Sequence, residues 1–325
     1  MRLLSRPVKF PSLNFPKNTS GDRKTFVLKG KKYHKPLFFM ALPFIVYIFI
    51  FSYIPLFGWI YAFYRYTPGV PLSRAPFMGL EYFRIMFSGA GEMLRVLRNT
   101  LVFNGLHYLC SPLPAILAIL LTEIKNKTYR KTLQTIMTFP NYISWIIIFA
   151  ISFAFFSRDG LYNELLQRLN ITQEPITILG NNDIVWYFQT GVGLWKGLGW
   201  GSIIYLAAIV GIDSELYDAA KVDGAGRFRC IWHITVPALL PTYLVLLILS
   251  ISNVLSAGFE QYFVFYNGLV ADRIETLDYY VYRVGIGLRD YSYSIAIGMF
   301  KTVFSIGMLF SANYIAYKIR GSKIV

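Results

Sequence analysis

Six runs of twenty or more mostly apolar residues divide this 325-residue chain, at roughly 37–64, 100–121, 135–156, 184–210, 236–258 and 293–317. About 20 residues rising 1.5 Å each cross a hydrocarbon core about 30 Å thick. Within that core a helix is the single-segment structure that satisfies its own backbone hydrogen bonds. The pattern therefore predicts an all-α polytopic membrane protein with six spans. Composition agrees, since 15% of the residues are charged against about 25% in soluble domains. Pro43 and Pro55 predict kinks in the first run. Cys110 lies in an apolar run and Cys230 in a polar loop, so neither a disulfide nor a zinc site is expected. His34, His107 and His233 are scattered without metal-ligand spacing; His34 and His233 read as surface residues and His107 as a packed one.

The formal net charge of +15 would suit nucleic acid, but its placement points to lipid. With the N-terminus inside, the segments on that side carry 20 Lys and Arg against 6 acids, and the opposite segments carry 10 against 11. Basic residues concentrate on cytoplasmic loops, where anionic lipid attracts them. Both termini are therefore expected in the cytoplasm, with membrane lipid rather than nucleic acid as the charged partner. Residues 1–36 form a basic tail, 37–317 a six-span domain and 318–325 a short basic end. The first run is too long for the apolar core of a signal peptide and reads as an uncleaved span.

One inside loop differs from a plain connection. Residues 211–241 read GIDSELYDAAKVDGAGRFRCIWHITVPALLP. Asp213 or Ser214 can cap a short helix, and Leu216, Ala219 and Ala220 then share one face. Gly224, after Asp223, permits the left-handed turn that ends such a helix. A second short helix can run from about Gly226 toward Thr235, and Pro237 is expected to restart the chain as a membrane helix. The result is a helix–turn–helix with a face of small residues, on which another protein's backbone could approach closely.

This segment resembles the coupling loop of type I ABC importer permeases. Asp218-Ala219-Ala220, Asp223-Gly224-Ala225 and Ile234-Thr235-Val236-Pro237 stand at the family's spacing, with Asp218 in place of Glu and Val236 in place of Leu. Trp195-Lys196-Gly197, Gly258-Phe259-Glu260-Gln261, Tyr266-Asn267 and Tyr291-Ser292-Tyr293 extend the likeness toward the carbohydrate-uptake branch. Within it the chain is most similar to alginate-importer permeases. The resemblance implies a six-helix MetI-like bundle in the bacterial inner membrane. It also implies coupling of the loop 211–237 to a separate ATPase through Asp218, Ala219, Ala220, Asp223, Gly224, Ala225 and Pro237. Implied partners are a second homologous permease, two ATPase subunits and an extracytoplasmic solute-binding protein. ATP and Mg would be held by the ATPase, with no cofactor on this chain.

Candidate pathway residues follow from chemistry at depth. Lys196, mid-span, carries a charge that costs about 3 kcal/mol or more to insert, so it faces water or a partner and could attract an anionic sugar. The glycines around it, with Gly193, Gly197 and Gly201 on one face, fit either close helix packing or a broken helix lining a path. Lys301 could snorkel outward. Trp195, Tyr262, Tyr266 and Asn267 offer ring faces and an amide to sugar, while the aromatic-rich segment 259–292 also fits an interfacial belt. No GxxxxGK[ST] pattern occurs, so the chain has no usual ATP site. An ion-coupled carrier normally places an acid in a span, and none of the six runs holds one. No HExxH and no buried Asp pair supports a membrane enzyme.

Overall fold

The computed structural model describes residues 34–88 and 90–320. Most of the basic tail and the residues after 320 lie outside the described residues, so the expectations for the two chain ends concern parts not described. Among the described residues there is no strand beyond one isolated bridge between Tyr64 and Phe77. Six helical stretches are long and apolar enough to cross a membrane: Leu37–Phe63, Gly91–Thr122, Trp145–Arg168, Val185–Val210, Arg227–Ser252 and Tyr291–Tyr314.

The chain separates into two compact units, one ending at Phe57 and one beginning at Gly58. The first holds helix α1 (His34–Ile48), with Pro43 inside it, and a π turn at Phe49–Tyr53. From Ile54 the pitch tightens to 3-10 through Phe63. The change of pitch falls at Pro55, which cannot donate to the carbonyl one turn back and crowds it.

The second unit contains α2 (Glu81–Ser88), α3 (Ala90–Cys110), α4 (Leu113–Thr122), α5 (Lys127–Thr138), α6 (Trp145–Phe156), α7 (Leu161–Arg168) and α8 (Val185–Val210). It continues with α9 (Ser214–Val222), α10 (Arg227–Cys230), α11 (Val236–Ser252), α12 (Glu260–Phe265), α13 (Ala271–Ile274), α14 (Leu277–Tyr282) and α15 (Tyr291–Arg320). One core packs Met86, Val96, Leu277, Ala296 and Ile297 among α2, α3, α14 and α15. A second joins Phe103, Ile148, Val185, Tyr262, Phe265 and Ile274. A third, smaller core sets Ala118 and Tyr205 against Leu239. Much of the remaining apolar surface is exposed, for example Phe153 and Phe310, as expected of side chains that meet lipid.

Three spans differ from the apolar runs. The second helix begins ten residues before the run at 100, because Glu92, Arg95 and Arg98, which an apolarity rule rejects, find charged partners. The run 135–156 is two helices. α5 ends in a 3-10 turn at Phe139–Tyr142 that contains Pro140, and α6 starts afresh from Ser144, whose hydroxyl caps Ile147 N–H. Pro237 does not restart the fifth span. The helix is continuous from Arg227, and the turn before the proline, Ile231–Thr235, widens to π pitch. Such a turn accommodates a ring that would otherwise press on the preceding carbonyl.

The glycine-rich fourth span is an unbroken helix, Val185–Val210, so the broken-helix alternative fails, and close packing uses the expected stripe only in part. Its tightest approach is at Gly199, off the predicted stripe. A Cβ there would lie 2.0 Å from the Met137 carbonyl oxygen, so α5 rests directly on the α8 backbone. Gly201 meets Pro114 of α4, while nothing stands within 4 Å of a Cβ at Gly197.

Candidate functional site

A cavity of about 350 Å³ opens in the second unit where α3, α8, the end of α11 and α12 converge. Aromatic faces come from Phe103, Trp145 and Tyr262, and polar groups from Asn104, Gln189, Ser250, Asn253 and Gln261. Its far wall exists because α11 stops at Ser252. Residues 253–258 then run without regular structure to Gly258, whose φ of +93° suits glycine. That lip is anchored from behind. The Asp278 carboxylate accepts from Gly258 N–H at 3.2 Å and from Ser256 Oγ at 3.3 Å. Lys301 is ion-paired with the same carboxylate. Lys301 therefore does not snorkel outward; it joins the sixth span to the rim of the cavity.

Of the predicted pathway residues, Tyr262 lines this cavity. It is buried, with its ring 4.5 Å from Phe103, and that burial raises its phenol pKa. Trp195 faces elsewhere, into an apolar groove between α6 and α8 beside Ile148 and Tyr187. Tyr266 packs on Tyr279, ring to ring at 4.6 Å. Asn267 holds its own loop, donating to Leu179 O and accepting from Leu269 N–H, both at 3.0 Å.

Lys196 is corrected by the structure. Its ammonium donates to the carbonyls of Pro140, Asn141 and Ile143 and lies 5.3 Å from the Trp145 ring centre. An ammonium has three donors, and all three are used on the break between α5 and α6. A cation on carbonyls at a helix C-terminus is the favourable placement for its charge. The partner that the sequence could not supply is backbone. Lys196→Met should leave the Asn141 and Ile143 carbonyls without this donor, Pro140 O keeping its bond from Ile143 N–H, and destabilise the chain by about 2 kcal/mol. The check is the thermal midpoint of the purified complex, with transport of acidic and neutral sugars falling together. Loss of acidic-sugar transport alone, at unchanged stability, would return Lys196 to the pathway.

The segment 211–237 is built from local bonds. Asp213, not Ser214, is the cap: its carboxylate accepts from Glu215 N–H at 2.9 Å. At the other end Gly224 has φ +76°. Its N–H reaches Lys221 O at 3.0 Å, and Ala225 N–H reaches Ala220 O at 2.8 Å. These two bonds are the paired closure of a Schellman motif. Asp218 pairs with Lys221 at 2.9 Å and raises the pKa of that ammonium. Asp218, Ala219 and Asp223 are exposed, and Ala220 and Ala225 half-buried. Around them Val222, Phe228 and Trp232 stand 88%, 89% and 70% exposed. Residues so apolar and so open suit a protein partner. Pro237 is exposed on α11. A bond unforeseen in the sequence, Tyr217 Oη to Thr235 Oγ1 at 2.9 Å, fastens α9 to the base of the fifth span.

A charged ladder at the other end of the bundle was also unforeseen. Glu275 is buried and is bonded by Arg95 at 2.7 Å and Arg283 at 2.6 Å. Arg283 also pairs with Glu92, and Arg95 and Arg98 each approach Asp272 at 3.7 Å. Asn99 Nδ2 donates to the Asp272 and Glu275 carbonyls, and Thr100 Oγ1 accepts from Leu277 N–H. The ladder seats α13 and α14 on the start of α3.

The model of the family described as binding-protein-dependent transport system inner membrane component matches residues 113–321. Protein LplB of Bacillus subtilis is 41% identical, over 88% of this chain and 90% of its own. YteP of Bacillus subtilis, a polygalacturonan/rhamnogalacturonan transport system permease protein, is 38% identical, over 87% and 88%. A chain of a bacterial alginate ABC transporter, crystallised in complex with an alginate pentasaccharide-bound periplasmic protein, superposes with a TM-score of 0.80. It is 31% identical, covering 89% of this chain and 96% of its own.

Proposed function

As a member of the binding-protein-dependent transport system inner membrane components, the chain is a multi-pass plasma-membrane permease of an ABC importer for sugars or oligosaccharides, and we propose that it carries acidic oligosaccharides of uronate type. The observation that carries this reading is the cavity. Ring faces beside amides and hydroxyls match a sugar, which has apolar C–H faces and a rim of hydroxyls. The acidic class is supported by the alginate carried in the similar structure and the polygalacturonan named for the relative YteP. Membership of this family displaces the ion-coupled carrier as the alternative.

In this reading a second permease of the same fold completes the path, and an extracytoplasmic binding protein delivers the sugar. Two ATPase subunits hold ATP and Mg, and segment 211–237 docks on one of them. Its motion reaches the membrane through Tyr217–Thr235 and the closed turn at Gly224. The complex should copurify with an ATPase whose hydrolysis rises when binding protein loaded with an oligouronate is added. No stimulation by any oligosaccharide tested would refute the importer reading, and stimulation by neutral sugars alone would refute the acidic class.

The same reading sets both termini in the cytoplasm, supported by the excess of basic residues on that side. A cysteine placed at residue 170 should react with an impermeant thiol reagent on intact cells, and one at residue 127 should not. The reverse pattern would turn the bundle over.

A further inference from the structure

We propose that His107 is the residue of this chain that meets the carboxylate of the substrate, an inference that rests on the acidic-oligosaccharide reading above. Three of the four side-chain amides on the wall of the cavity, those of Asn104, Asn253 and Gln261, spend their N–H groups on the protein itself, while Gln189 accepts at Oε1 and keeps its Nε2. Asn104 Nδ2 donates to Thr100 O and Val254 O, both at 3.0 Å. Asn253 Nδ2 donates to Leu249 O at 3.1 Å, and Gln261 Nε2 to Gln189 O at 2.8 Å. In each case the partner is a backbone carbonyl, which can only accept. The amide orientation is thereby determined, and the side-chain oxygens of Asn104, Asn253 and Gln261 remain as the groups available to a ligand. The Thr190 hydroxyl is given to Trp186 O at 2.7 Å and that of Ser256 to Asp278.

The three amide oxygens suit sugar hydroxyls, which donate, and the remaining donors of the wall, such as Gln189 Nε2, Ser250 Oγ, Trp145 Nε1 and Tyr262 Oη, are neutral. Among the described residues lining the cavity there is no Lys, Arg, Asp or Glu. The nearby cations are engaged behind the wall, Lys196 on carbonyls and Lys301 on Asp278. His107 is the lining side chain that can become a cation, a form that an anion seated against it favours. It follows Phe103 and Asn104 on the same face of α3, and it is exposed rather than packed. The expectation of a packed histidine is thus corrected by the same geometry. An imidazolium there supplies an ion-paired hydrogen bond that the neutral donors of the wall do not.

The test separates charge from sugar. Labelled oligouronate and its carboxyl-reduced neutral counterpart of equal length are dialysed to equilibrium against the purified complex without its binding protein. His107→Leu should weaken oligouronate binding about tenfold, as expected for loss of one hydrogen bond to a charged group, and leave the neutral sugar unchanged. His107→Lys, which keeps a cation at this position, should retain most oligouronate binding. Equal loss of both sugars, or no loss of either, would overturn the role of His107. A wild-type complex that binds and imports neither sugar would overturn the functional reading itself.

Discussion

Glu275→Gln is expected to produce the largest loss of stability of any single neutralisation in this chain. The carboxylate is 1% exposed and holds two guanidiniums, Arg95 and Arg283, at 2.7 Å and 2.6 Å. Removing one member of a buried ion pair costs about 3–5 kcal/mol, because the charge left behind has lost its partner and is not rehydrated. Here two cations are left, although each is about a quarter exposed and keeps a second acid, Asp272 for Arg95 and Glu92 for Arg283. A loss near the lower end, about 3 kcal/mol, follows. The variant should reach the membrane at reduced level and unfold well below the wild type. Arg95→Met with Glu275→Gln should cost less than the two changes separately, since residues sharing one ion pair are coupled. Additive losses would mean that Glu275 and Arg95 do not act on one another.

That ladder shows where the sequence stops being informative. The six spans are legible because each is a contiguous run whose length and apolarity are set by the bilayer. The ladder joins residues 92–98 to residues 272–283, some 180 positions apart, and nothing local in either stretch names the other. An apolarity rule therefore leaves the charged start of α3 outside the span. The cavity is hidden for the same reason: four separated segments contribute Asn, Gln and Ser residues that in isolation look like ordinary polar positions. Lys196 reads from the sequence as a charge needing a partner, but its partners are backbone carbonyls at the break near Pro140, and backbone acceptors leave no mark in a sequence. Pro237 misled in the opposite sense. Its rule predicts a new helix, and the chain instead absorbs it in a π turn at Ile231–Thr235.

The cap at Asp213 and the turn at Gly224 are the most legible parts of the site, because each acts within five residues, and Gly224→Val tests the turn most severely. Nothing lies within 4 Å of a Cβ at Gly224, so the substitution introduces no clash. Its cost is conformational: φ is +76°, and left-handed backbone costs an L-residue about 1–2 kcal/mol, with a β-branched side chain at the upper end. Relief of that strain requires the turn to open, which breaks the bonds from Gly224 N–H to Lys221 O and from Ala225 N–H to Ala220 O. Helix α9 then keeps its side-chain tie to the fifth span, Tyr217 to Thr235. The spans themselves are untouched, so the variant should insert and assemble at wild-type level. Hydrolysis stimulated by loaded binding protein should fall by about tenfold, the equivalent of 1.4 kcal/mol lost from the docked arrangement, while basal hydrolysis by the ATPase persists. Gly224→Ala, strained less, should fall between the two. Stimulated hydrolysis and uptake at wild-type levels in the Val variant would show that the turn does not transmit ATPase closure to the membrane helices.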